Sequence, residues 1–148
     1  MTPLIDSWHH NTGVSDMEAF ALSWAPRVLS ILRFMVGLLL LEHGTGKWLN
    51  FPAGAFPPNF NVNSMFGYAG VIEGIGGLLL VLGLFTRPAA LIVSGMCAVG
   101  YFLVHVPNGF FPILNKGETI ILFCFVSFYL AAAGGGPWSL DAWIRKKP

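Results

Sequence analysis

Four apolar stretches govern what this chain can become: about 28–49, 67–86, 89–106 and 117–135. A helix needs roughly 20 apolar residues to cross the hydrocarbon core of a bilayer. Only 10% of the 148 residues are charged, against about 25% in a soluble domain, so the stretches read as membrane spans rather than core helices. No water satisfies backbone groups inside lipid, which leaves helices as the structure for each span and makes the expected class all-α. The third and fourth stretches are short, so their ends are expected to meet polar protein or headgroups. The formal net charge of +1 argues against nucleic acid as a partner; the lipid bilayer is the expected one.

Three regions follow from the spans. Residues 1–26 read as a tail with a short interfacial helix, in which Ser15 and Glu18 form a capping box ahead of Ala19, Phe20, Leu22 and Trp24. This stretch has neither the basic start nor the apolar run of a cleavable signal, and its His9-His10 pair reads as a solvated tail. Residues 27–136 form the four-span unit, and 137–148 a basic amphipathic tail. Thr86-Arg87-Pro88 makes a tight turn between spans two and three, with the proline placed to begin a helix. The links NFPAGAFPPNFNVNS and PNGFFPILNK are ordered surface loops. Short connections give an up-down-up-down four-helix bundle. Arg27, Arg87, Arg145, Lys146 and Lys147 fall on the side of the termini, and Lys47 and Lys116 on the other. The positive-inside rule then predicts both termini in the cytoplasm and the two loops outside. Cys97 and Cys124 sit in apolar runs without CxxC spacing and read as small buried hydrophobes.

Ionisable residues inside spans are costly, and they usually face the bundle interior or water. Here each span contributes one at a common outer depth. Span one carries Glu42, His43 and Lys47; span two, Glu73; span three, His105; span four, Glu118. At about 100° per residue, Arg33, Gly37, Leu40, His43, Gly44 and Lys47 share a broad face, with Glu42 nearly opposite Arg33. Gly70, Glu73 and Gly77 share another, and Ser94, Ala98, Tyr101 and His105 form a small, polar stripe. The predicted pocket joins His43, Glu73 and His105, with Lys47 at its mouth and Tyr101 as a further donor. Arg33, Glu42 and Glu118 are supporting polar residues; Glu118 taken singly reads as a plain N-terminal acid. Arg33 is too deep for an ordinary lipid anchor and is expected to pair inside the bundle or with an acidic partner subunit, unless it snorkels.

The chain resembles the DoxX family of small four-helix membrane proteins. Arg33, the HGxxK-like run His43-Gly44-Thr45-Gly46-Lys47, GVIEGIGGLLLVLGLFTRPAAL at 70–91, His105 within HVPNGFFP, and GGGPWSLD at 134–141 carry the resemblance. It covers about 30–141. The resemblance implies association with membrane oxidoreductase systems, among them thiosulfate:quinone oxidoreductase and oxidative-stress complexes, in a bacterial inner (plasma) membrane.

Three readings stay open. In the first, the chain is a quinone-interacting subunit: His43, Glu73 or His105 exchanges protons, Lys47 or Tyr101 donates to a carbonyl, and a flavin, haem or partner subunit carries the electrons. In the second it is an accessory scaffold with no activity of its own. In the third, His43 and His105 ligate haem, or His43, Glu73 and His105 a metal, with Glu42 and Glu118 as further carboxylates; the missing ExxH spacing weighs against this. Whether the chain is itself an enzyme stays undecided at this level.

Overall fold

The computed structural model describes residues 15–57 and 60–145. The His9-His10 pair and the two terminal lysines counted for orientation lie outside the described residues. Among these every regular element is helical, with no strand.

Helix α1 runs over Asp16–Leu49, 34 residues. The capping box is present: Glu18 N–H donates to Ser15 Oγ at 3.3 Å, and Ser15 N–H donates to the Glu18 carboxylate at 2.9 Å. The separate interfacial helix expected before Pro26 is not seen, because α1 continues through the proline. Pro26 removes one helical donor. Nearby side chains bond to backbone around it, Arg27 Nη1 to the Ser23 carbonyl at 2.7 Å and Ser30 Oγ to the Pro26 carbonyl at 3.2 Å. At 1.5 Å per residue α1 is about 50 Å long, well beyond a hydrocarbon core of about 30 Å.

Helix α2 spans Met65–Leu82. It stops four residues short of the expected limit because Gly83 takes a left-handed conformation (φ 67°) and closes the helix, a backbone state that glycine adopts without steric cost. Helix α3, Thr86–Gly100, continues through a π-helical turn at Tyr101–His105 and a 3-10 turn at Val106–Asn108, so this segment is longer than the 89–106 expected. A single turn, α4 (Pro112–Asn115), precedes α5 (Glu118–Ala133) and the short α6 (Leu140–Arg145). Three of these segments are long and apolar enough to cross a membrane: α1, α2, and α3 with its continuation. Helix α5 is apolar but has only 16 residues, about 24 Å of helix.

Antiparallel pairs organise the packing. Helices α1 and α2 meet backbone to backbone across glycines: a methyl group on Gly37 would lie 2.6 Å from Val81 N, and one on Gly77 would lie 2.5 Å from Leu41 N. Small residues allow such approach where lipid offers no hydrophobic drive for association. Helices α3 and α5 form the second pair, with Ser94 Oγ 3.6 Å from Cys124 Sγ and Arg87 of α3 reaching the Ala131 and Ala132 carbonyls at the end of α5. Between the pairs lies a compact core of Val36, Leu40, Leu80, Val93, Cys97 and Leu130. Large apolar side chains such as Ile75, Ile92, Leu122 and Phe125 point outward, the distribution a bilayer requires.

One end of the molecule is tied by long-range polar contacts. Arg33 is 2% exposed and pairs inside the bundle, with backbone carbonyls as its partners. Nη1 donates to Leu80 and Val81, Nε to Gly135 at 2.9 Å, and Nη2 to Trp138 at 2.7 Å. The guanidinium thus caps the C-terminal end of α2 and pins the segment before α6. Asp141 of α6 accepts from Phe85 N–H at 2.9 Å and Thr86 N–H at 2.8 Å, capping the start of α3. Burial alone would raise the Asp141 carboxyl; the backbone donors of Thr86 and Phe85 outweigh it and hold the group below its ordinary value. Residues 137–145 therefore act as a structural clasp.

Candidate functional site

The opposite end holds a cavity of about 740 Å³ between α1, α2, α3 and α5, within the size range of ligand sites. His43, Lys47, Glu73 and His105 all line it, together with Phe56 and Lys116. Its other walls are mostly apolar side chains of the four helices, among them Leu40, Ile72 and Met96, together with Tyr68 and Thr119.

Lys47 does not stand at the mouth, as the sequence suggested. Its ammonium is 2.5 Å from Glu73 Oε2, and the two side chains are 8% and 11% exposed. Gly70 makes the approach possible, since a methyl group there would lie 2.9 Å from the Lys47 side chain. The Phe56 ring lies 5.6 Å from the ammonium, an added attraction for a desolvated cation. An ammonium has three donors and a carboxylate two acceptor oxygens. The contact between them leaves N–H groups on Lys47 and Oε1 on Glu73 for another molecule. The exposed cation on the cavity wall is Lys116, whose backbone is left-handed (φ 59°) at the end of α4.

Both histidines are oriented by carbonyl oxygens. His43 Nδ1 lies 2.8 Å from the Leu39 carbonyl and His105 Nδ1 2.9 Å from the Asn115 carbonyl. A carbonyl only accepts, so in both rings Nδ1 donates to it and Nε2 is the nitrogen left for another partner. His43 also packs edge-on against Phe123 at 6.0 Å. Tyr101 is absent from the cavity wall; it stacks on His105 at 6.2 Å with 14° between the rings. The π-helical turn that contains both residues sets this stacking, and such turns are frequent at functional sites. Asn115 is buried and organises the loop beneath His105, donating to the Gly109 carbonyl at 2.7 Å and accepting from Gly117 N–H at 2.8 Å.

Glu42 and Glu118 do not join this group. Both are exposed and outside the cavity, Glu42 because it falls on the outer face of α1 and Glu118 because it occupies the first turn of α5. The metal candidates do not close into a ligand set either. Among the described residues no three His, Cys, Asp or Glu side chains come together closely enough to hold an ion, and Glu73 is engaged by an ammonium. Sequence reasoning overlooked Phe56, Asn115 and Lys116 as neighbours of the site. The first is loop-borne and the last two act through a turn, where helical phase gives no signal.

The arrangement pairs donors and acceptors at one end of an apolar chamber. It can hold a small polar headgroup and exchange protons with it.

Comparison with known proteins agrees with the sequence resemblance. A family model described as DoxX matches residues 28–106. A Haemophilus influenzae protein described as "Uncharacterized protein" is 42% identical over 128 residues, covering 84% of this chain and 96% of the relative. A second from the same organism, with the same description, is 27% identical over 130 residues, covering 80% and 83%. No solved structure matches. On the family match and the full-length relative together, the chain belongs to the DoxX family.

Proposed function

We propose that the cavity receives a quinone headgroup from the membrane, and that the protein is the quinone-binding membrane subunit of an oxidoreductase system whose electrons come from a partner protein. One observation carries this reading: an apolar cavity with a few convergent polar groups that is open toward the lipid side. Tyr68, Ile92 and Leu103 border it while 63%, 60% and 55% exposed, so a lipid-soluble molecule has a lateral way in.

The residues fit such a group in both of its protonation states. Carbonyl oxygens would meet the remaining N–H groups of Lys47; hydroxyls would meet Nε2 of His105 or His43, or Oε1 of Glu73. A bound quinone supplies two-electron, two-proton chemistry. The protein's part is to orient the ring, exclude bulk water and hold or move a proton at Nε2 and Oε1. The competing reading is a scaffold in which the Lys47–Glu73 pair is purely structural, and it is favoured by the near-complete burial of that pair.

The accompanying membrane arrangement is an up-down-up-down bundle of α1, α2, α3 and α5 in a bacterial inner membrane. Both termini are cytoplasmic and the Lys47 end faces outward, supported by the Arg and Lys distribution. Cysteines introduced at Asn63 and Asn108 should react with an impermeant thiol reagent added to intact cells; reaction only after lysis reverses the orientation.

Gly95 offers a clean test of the cavity itself. It lines the cavity, and a methyl group built there meets nothing within 4 Å. Gly95→Leu should fill the chamber without disturbing the fold, since replacing a mid-helix glycine gains roughly 0.5–1 kcal/mol. The expected result is an unchanged or higher melting temperature with loss of binding to a benzoquinone probe. If Gly95→Leu, Glu73→Gln and His105→Ala all bind the probe as the native chain does, the scaffold reading stands instead.

A further inference from the structure

We infer that the ligand of this cavity carries a long apolar chain, and that the cleft between α2 and α3 is the subsite that holds it; this rests on the headgroup reading above. A second, smaller cavity of about 170 Å³ lies along that cleft. It shares Ile72 and Ile92 with the main chamber, so the two adjoin across these side chains. From the shared residues it runs toward the Arg33 end past Ile75, Leu79 and Ala89. Its axial reach from Ile72 to Leu79 is about 10 Å.

The chemistry changes along this path. The main chamber gathers its polar side chains at the Lys47 end, whereas every residue lining the smaller cleft is apolar. An amphiphile with a compact polar head and one chain matches that polarity, with its head beside Lys47 and Glu73 and its chain laid along α2 and α3. Gly76 forms the floor. A methyl group on it would lie 2.6 Å from Val93 Cγ2, so the helices touch there and leave a shallow trough facing lipid instead of a hole through the protein. The trough is open along its length, and a chain could enter sideways from the bilayer and remain partly in it.

A pair of probes separates head from chain: 2,3-dimethoxy-5-methyl-1,4-benzoquinone, and the same ring bearing a decyl substituent. Each is titrated calorimetrically against the purified full chain in mild detergent. Ile75 is 60% exposed, so Ile75→Phe obstructs the trough without entering the core; Leu78→Phe, at an exposed position outside it, serves as the control. The decyl compound should bind the Ile75→Phe variant about tenfold more weakly than the native chain. The bare ring should bind both equally, and the control should match the native chain for both probes. Equal decyl affinity for native and Ile75→Phe proteins overturns the chain subsite and leaves the headgroup reading in place. Failure of both probes to bind the native chain overturns the headgroup reading and this inference with it. If Ile75→Phe sheds a co-purifying phospholipid, detected by mass spectrometry, yet keeps its decyl affinity, the trough holds a lipid acyl chain and the inference falls.

Discussion

Removal of the Arg33 guanidinium should be the most damaging single change at the end of the molecule away from the cavity. The side chain donates to four carbonyls on two parts of the chain, Leu80 and Val81 at the end of α2 and Gly135 and Trp138 before α6. In Arg33→Leu, the Leu80 carbonyl keeps the Gly83 N–H at 3.1 Å, but Val81, Gly135 and Trp138 lose a charged donor. An unsatisfied buried group costs about 1–3 kcal/mol. Relaxation and entry of water at a bundle end bring three of them to the order of 3–5 kcal/mol, the cost typical of breaking a buried charged contact. With about 3 °C per kcal/mol for a domain of this size, the melting temperature should fall by roughly 10–15 °C in mild detergent, followed by circular dichroism. Arg33→Lys retains the charge but has no planar fork to reach both carbonyl pairs, so it should recover less than half of the loss. Hydrogen exchange should rise first in residues 134–141. A melting temperature for Arg33→Leu within 2 °C of native, with unchanged exchange there, would refute the argument that this contact network holds the clasp.

Two further perturbations probe the other polar contacts. Lys47→Met leaves the Glu73 carboxylate buried without its cation and should destabilise by about 3–5 kcal/mol, while Lys47→Met with Glu73→Leu should recover most of that; strictly additive thermal shifts in this cycle would show that the pair is not coupled. Because the folded-state pKa of Asp141 is depressed below its ordinary value of 3.8, its contribution is fully present above that value and is lost as pH falls through the lower folded value. The stability difference between native and Asp141→Asn should therefore be constant near neutrality and shrink below about pH 4; a difference that grows on acidification contradicts the capping role.

The helical segments, and the grouping of His43, Lys47, Glu73 and His105 around one cavity, were legible because hydropathy and helical phase are local properties of the chain. What was not legible was supplied from a distance. Arg33 was expected to pair inside the bundle or with an acidic partner subunit, and a sequence does not display the bare carbonyls at a helix end that serve it. Phe85 precedes α3 with no side-chain cap of its own, yet the acid that caps the helix lies 56 residues away. That deficit was a usable signal, since a helix start without Ser, Thr, Asp or Asn invites a search for a remote carboxylate. The extension of α3 through a π-helical turn has no pattern at all in the residues. Pro26 misled because proline usually ends a helix, and here only one backbone donor was at stake.

The glycine seam between α1 and α2, the α3–α5 pair and the clasp at Arg33, Arg87 and Asp141 together give the molecule the mechanics of a clothes-peg. Two stiff arms are pinned at one end, and Gly76 against Val93 is one place where α2 and α3 touch above the pin. The arms extend about 25 Å from Gly83 to the level of Met65. A rotation of about 5° about the pinned end would carry their tips about 2 Å apart, roughly half the width of a methylene chain. The jaws are the part that meets lipid.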